Sequence, residues 1–436
     1  MARIFQRINY LKVTKLLTFA IYPAGLLGMS VLAFDVGSFH LFPYRILILI
    51  IWLCLIFSVI KNKGILDLPP IKVKNFGLFL LFWLIYAVLS INWAIDKISA
   101  VKHVIFLFTS LSLIVFTAVF LETVKDLCVV TKIWLIFLGL TLIIGILETV
   151  YGVHLPVSLF YQRDTVVPTG FFYNPNDFAT YLSLSAPFLL SYLLFNKKAQ
   201  YRLLFLFPFF ILIYVLVSTG SRANFLAVFL EIVYFIIVAY SFRKNRKELY
   251  VLITGSLLTS LLFPKRILDQ LNSFIITLQS LAAQISNQMG SIGIRINLAR
   301  NGLLFLLSTW GFGVGAGNVE GWMQTRARFD SGHMTNIHNW FLEVLVNYGI
   351  FVFVGYLLFY LGMIYKILYV IKTHRNDHKL KVVGVAILGS MIGFIFASMS
   401  PSSIIAFKPH WMIFAIGLSY INIGLNQTPG EKLHTQ

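Results

Sequence analysis

The sequence predicts an all-α fold: a polytopic integral membrane protein with about 12 transmembrane helices and a large extracytoplasmic loop containing interfacial helices. Three observations carry that expectation. The 436-residue chain is 58% hydrophobic and only 12% charged, whereas soluble domains are about 45–50% apolar and about 25% charged. Its mean hydropathy is +0.84. The apolar residues gather in runs of the length, about 20 residues, that crosses a bilayer core as a helix.

In chain order the candidate spans are 16–34, 42–60, 76–95, 103–121, 131–150, 178–195, 203–219, 223–241, 249–263, 350–368, 382–400 and 409–425. The basic start "MARIFQRINYLKVTK" resembles the opening of a signal peptide, but the apolar run behind it is long and lacks a cleavage site. It reads as an uncleaved first span. Cys54 and Cys128 lie in or beside apolar runs and suggest neither a disulfide framework nor a thiolate metal site.

The net charge of +19 does not point to nucleic acid, because no basic stripe with interleaved aromatics stands apart from the spans. Lys and Arg fall mainly in short loops, where they set orientation. With a cytoplasmic N-terminus, 22 of them lie inside and 12 outside, leaving aside Lys132 within the fifth span. Both termini are therefore expected in the cytoplasm. Three regions follow: residues 1–263 hold the first nine spans, including an outer loop at 151–177; 264–349 form the large extracytoplasmic loop; 350–436 hold the last three spans and a cytoplasmic tail. Within the large loop, Leu271, Ile275, Leu278, Ala282 and Ile285 recur at helical spacing opposite a polar face, as in a helix lying along a membrane surface.

The orientation gathers unusual polar groups on the outer side. Arg222 stands in "STGSRANFL", Arg295 and Arg300 in "GSIGIRINLARNG", His338 and Asn339 in "MTNIHNWFLEVLVNYGIF", and Arg163 and Asn176 in the 151–177 loop. Each has a plain structural reading as well. An arginine at a span end can snorkel to the interface, and "NPND" can be a turn and helix cap. "GFGVGAGN" lacks the Lys-Ser/Thr ending of a P-loop and reads as turn and close packing. His333 and His338 are five apart, not at the spacing of two metal ligands on one helix face. No G-x-S-x-G elbow is present. Glu231 falls mid-span, where an ionisable group is costly, and it lies nine residues, roughly 13 Å of helix, beyond Arg222. Its plain reading is a neutral carboxyl hydrogen-bonded within the bundle.

Taken together, two arginines can neutralise a diphosphate through bidentate contacts, and a histidine can accept a proton from an attacking hydroxyl. No metal or cofactor is required by that set.

Three segments, "STGSRANFLAVFL", "GSIGIRINLARNGLLFL" and "IHNWFLEVLVNYGIFVFVGYLLFYL", with a looser fourth, "TGFFYNPNDFATYLSLSAPFLL", resemble the O-antigen ligase and O-antigen polymerase superfamily of bacterial membrane glycosyltransferases. They cover residues 169 to 361. The resemblance implies a metal-independent, inverting transferase of the inner membrane, with its active site on the periplasmic or extracellular side. It implies that Arg222 and Arg295 hold undecaprenyl diphosphate and that His338 activates the acceptor, with Arg163, Asn176, Arg300, Asn339 and Glu343 as candidate supporting residues. Partners would be an undecaprenyl-diphosphate-linked glycan, an acceptor that is lipid A-core or a second lipid-linked glycan, and membrane lipids. Ligase-type transfer is the first expectation and polymerase the second. A transporter or flippase of lipid-linked sugars is the competing class.

Overall fold

The computed structural model describes residues 10–30, 32–36, 39–62, 68–196, 198–242, 290–401 and 403–427, with a few isolated positions between 268 and 279. The ninth expected span, 249–263, and the surface helix expected from Leu268 to Ile285 lie outside the described residues, apart from those isolated positions.

The described chain is a helical bundle. Its helices are α1 (Tyr10–Leu27), α2 (Pro43–Lys61), α3 (Lys74–Ser90), α4 (Lys97–Phe120), α5 (Val124–Tyr151), α6 (Pro175–Phe195), α7 (Ala199–Ser218) and α8 (Arg222–Phe242). After the undescribed stretch come α9 (Gly290–Ser308), α10 (Val319–Arg326), α11 (Trp340–Thr373), α12 (His378–Ala397) and α13 (Lys408–Asn426). A two-stranded antiparallel hairpin, β1 (Phe34–Val36) and β2 (Phe39–Leu41), interrupts the all-α expectation between α1 and α2. Seven helices are long and apolar enough to cross a membrane, and two further apolar helices are shorter. The chain is thus a polytopic membrane protein, while the count of 12 spans is not reproduced among the described residues.

Local chemistry explains the helix ends. Thr123 and Asp126 form a reciprocal capping box that starts α5, and Gly152, at φ 67°, ends it in the left-handed conformation. Asp96 caps α4 through Ile98 N and Ser99 N, and Asp377 caps α12 through Lys379 N and Leu380 N. Asn174 caps α6, with Pro175 at its first turn.

α6 is the central helix: 94% of its apolar window is buried, against 22% for α2. α2 instead turns Leu49, Leu53, Ile56 and Ile60 outward, as a helix facing lipid does. With lipid as solvent, helices associate through close packing and hydrogen bonds, and α6 and α12 show both. Ser191 Oγ donates to Val382 O and Ser390 Oγ to Leu184 O at 2.6 and 2.7 Å. A Cβ at Gly389 would stand 2.9 Å from Pro187 Cβ, so glycine lets the proline-bearing stretch of α6 approach α12.

α11 breaks at Gly349, whose φ of 79° and ψ of −178° belong to a region open essentially to glycine alone. A Cβ there would collide with Gly311 O and Phe312. The short segment 340–348 is thereby set off from 350–373, one residue before the expected start of the tenth span. Gly349→Ala should destabilise the protein by about 1–3 kcal/mol from the backbone term alone, read as a lower unfolding midpoint in detergent. An unchanged midpoint would contradict the geometry.

Candidate active site

The site is built at one end of the bundle from four places in the chain. Arg222 opens α8 directly after a tight turn in which Gly220 takes φ 73° and Ser221 N donates to Thr219 Oγ1. Arg295 lies on α9. Gly302 brings that helix onto the first turns of α11, because a Cβ at Gly302 would already touch Ile337 and Val346 at 3.1 Å. His338 precedes α11 in the left-handed conformation, φ 52°, an uncommon one for a non-glycine residue. Asn336 Oδ1 holds it there by accepting from His338 N at 2.8 Å. The fourth place is the segment after α12: backbone groups of Ser400 and Pro401 lie in hydrogen-bonding reach of the His338 ring. Since Pro401 has no N–H, its contribution is the carbonyl.

Electrostatics ties the three charged candidates together. Desolvation by surrounding protein, and then the charge of Arg222, push the Arg295 guanidinium below the ordinary arginine value. Burial, and then the charge of Arg295, lower the His338 imidazole below 6.5, with the Ser400 and Pro401 contacts acting in the opposite sense. The ring is therefore neutral at pH 7 and able to take a proton. Its Nδ1 is buried and has no hydrogen-bond partner among the described residues.

A chain of hydroxyls and amides stiffens this end. Asn176 Oδ1 accepts from Ser400 Oγ at 3.0 Å, Ser400 Oγ and Ser221 Oγ are 2.8 Å apart, and Asn224 Nδ2 donates to Ser221 Oγ at 2.9 Å. Asn224 also reaches Thr180 and Ser183 on α6. The network fixes the turn carrying Arg222 to the segment touching His338. Two residues after His338, Trp340 Nε1 donates to Tyr356 Oη at 2.9 Å, and the Trp340 ring packs against Trp83, His410 and Trp411.

The remaining candidates divide. Asn176 joins the network. Asn339 is the cap of α11, its side chain accepting from Leu342 N. Glu343 is buried beside Glu320, Asn336 and His103, one turn inside α11. Arg300 is exposed and stacks on Phe329 with its guanidinium carbon 5.5 Å from the ring centroid. Arg163 is exposed in a turn of the 151–177 loop. Neither shows a contact with the Arg222, Arg295 and His338 group.

The "GFGVGAGN" stretch is packing. Val314 N and Gly315 N donate to Val346 O and Asn347 O, Ala316 N to Ser90 Oγ, and Asn318 N and Val319 N to Asn347 Oδ1. These donors are spent on protein and do not form a phosphate cradle. Glu231 is fully buried against Gly393, where any side chain would collide with its carboxyl, and neither carboxyl oxygen has a hydrogen-bond partner among the described residues. The expected intrabundle hydrogen bond is absent there.

The described chain is thus an apolar helical bundle that carries Arg222, Arg295 and His338 at one end. Residues 207–357, which include Arg222, Arg295 and His338, match the family described as O-Antigen ligase. Over 401 residues the chain is 29% identical to the teichuronic acid biosynthesis protein TuaE of Bacillus subtilis (strain 168), covering 91% of this chain and 82% of that one. In these comparisons the chain is similar to the O-antigen ligase family over that segment and to a teichuronic acid biosynthesis protein over most of its length.

Proposed function

We propose that the protein transfers a glycan from undecaprenyl diphosphate to an acceptor hydroxyl at the outer face of the bacterial cytoplasmic membrane. The observation that carries this reading is the meeting of Arg222, Arg295 and His338, which are separated along the chain and joined at one end of the bundle. His338 takes the proton of the acceptor hydroxyl. The freed oxygen attacks the anomeric carbon as the bond from that carbon to the diphosphate oxygen breaks. Arg222 and Arg295 stabilise the charge that gathers on the leaving diphosphate. A single displacement inverts the anomeric centre. Incubating purified protein with a defined lipid-diphosphate glycan and identifying what the glycan becomes attached to tests this reading. Movement of the donor across proteoliposomes without any new glycosidic bond would make the protein a transporter instead.

Ligase-type transfer is the reading the family description supports. The relative's name speaks of teichuronic acid biosynthesis and favours a second reading, polymerase-type transfer to another lipid-linked glycan. The attached acceptor decides between them.

The reaction side follows from the bias of 22 inner against 12 outer basic residues. Reporter fusions after residues 62, 200 and 245 should report the cytoplasm, and one near residue 285 the outside. The reverse pattern would put the arginines and histidine on the wrong side for a flipped donor.

A further inference from the structure

α9 is built inside out for a helix surrounded by water. Its buried face is polar. Asn297 and Asn301 are almost wholly buried and donate to Asp330 O and Phe329 O at 2.9 and 2.8 Å. Asn301 Oδ1 also accepts from Arg328 N and Phe329 N. The outward face, by contrast, is apolar. Leu303 and Leu307 are 46% and 73% exposed, and Trp310, just past the helix end, is 90% exposed. Spacings of four and three residues put the three on one side, roughly opposite the asparagines. A helix bathed in water shows the reverse pattern, with polar groups outward. The same side turns polar at Arg300, one turn before Leu303, which is also exposed.

The apolar row does not stand alone. A Cβ at Gly311 would lie 2.9 Å from Ile350 Cδ1 on α11, and the exposed Phe312 and Phe351 rings have centroids 6.1 Å apart. From Phe351 the exposed side chains of Val354, Leu358 and Leu361 continue along α11, a helix long and apolar enough to cross a membrane. On the other flank, Tyr86 Oη of α3 donates to Phe312 O at 2.7 Å, and Trp93 Nε1 donates to Gly313 O at 3.1 Å. Tyr and Trp collect where hydrocarbon meets headgroups, and these two are bonded to the residues that follow Gly311.

We propose that the C-terminal half of α9 seats its outward row in the hydrocarbon edge of the bilayer leaflet on the side of the site. The row prolongs the outward face of a spanning helix, so lipid is the occupant it fits. Arg300 then stands at headgroup depth, as basic residues beside apolar stretches do. Arg295 is on the same helix. On the glycosyltransferase reading, on which this consequence alone rests, the seat sets that guanidinium at the level of a lipid-linked diphosphate.

Spin-label accessibility on the purified full chain in phosphatidylcholine–phosphatidylglycerol nanodiscs tests the seat. The background is Cys54→Ser, Cys128→Ser, and single labels are placed by Leu303→Cys, Leu307→Cys or Trp310→Cys. Gln324→Cys, at an exposed position of α10 beside an open polar cavity, is the aqueous reference. Oxygen concentrates in hydrocarbon, while a nickel chelate stays in water, which the bilayer core excludes. The oxygen-to-nickel collision ratio at Leu303 and Leu307 should exceed that at Gln324 by about tenfold, with Trp310 nearer the lipid value than the aqueous one. Ratios like that of Gln324 would put the row in water and overturn the proposal. Low collision rates with both reagents would mean that protein, a second copy or residues 243–289 of this chain, covers the row, and would overturn it equally. If Leu303→Cys does not fold, the more exposed Leu307 and Trp310 positions decide. None of these readouts uses transfer. A lipid pattern without glycan transfer would remove the transferase reading alone, and an aqueous pattern with intact transfer would remove the membrane seat alone.

Discussion

Replacing His338 by alanine is expected to lower glycan transfer by about 10²–10⁴-fold, the usual worth of general-base assistance, while leaving donor binding largely intact. In the proposed mechanism the arginines bind the diphosphate, so the loss should appear in kcat and not in KM for the donor. Gln in place of His keeps a hydrogen-bonding group but cannot take the proton, and it should be as inactive as Ala. A partly active Gln variant would mean that the histidine only positions the acceptor. The pH profile gives a second readout. His338 is held below 6.5 by burial and then by Arg295, so the base form predominates at neutral pH. Activity should fall as pH drops, with the inflection of kcat/KM for the free enzyme below 6.5. Bound diphosphate offsets the charge of Arg295, so the inflection of kcat in the complex should lie higher than that of kcat/KM. Full activity of His338→Ala with a defined donor would sink the assignment.

Much of this architecture was legible in the sequence because hydrophobic run length is a direct physical requirement of a bilayer. Eleven of the twelve expected runs fall on helices of the bundle, and the other, 249–263, lies outside the described residues. The edges were less legible. The first apolar run spans 16–34 in the sequence, but α1 occupies Tyr10–Leu27, because Gly28 turns the chain at φ 55° and a hairpin follows. α3 and the apolar part of α7 are short for a span, which hydrophobicity alone does not reveal.

At the site, charge and family pattern singled out Arg222, Arg295 and His338, and the bundle brings those three together. Arg300 illustrates a signal that spacing could have corrected. It follows Arg295 by five residues, which on a helix is about 140° around the axis, so the two point to different sides. Asn339 was equally readable as a cap, since asparagine is favoured at that position. Ser400, Pro401, Asn336 and Asn224 were not legible. They are neutral, ordinary residues in ordinary loops and helix starts, and their roles arise only from what the fold sets beside them.

Replacing Arg222 or Arg295 by lysine should lower transfer by about 10²–10³-fold, the scale seen when one donor to a developing anion is lost. Lysine keeps the charge, so long-range attraction of the diphosphate survives. What disappears is the planar fork that gives two parallel hydrogen bonds to neighbouring oxygens. In the proposed mechanism the two arginines act on the same leaving group, and they already repel one another, so their contributions should not add. The double lysine variant should lose less than the product of the single losses, and that departure from additivity is the signature of a shared ligand. A purely structural pair would behave differently, because the variants would then lower the amount of folded protein in the membrane without changing kcat of what remains. Diphosphate protection against thermal unfolding separates the cases further. It should be present in the wild type, weaker in either single variant and absent when both are changed, since only a ligand bound by the folded state raises its stability. If both single lysine variants keep near-normal transfer and diphosphate protection, Arg222 and Arg295 are interfacial anchors, and the donor is held elsewhere.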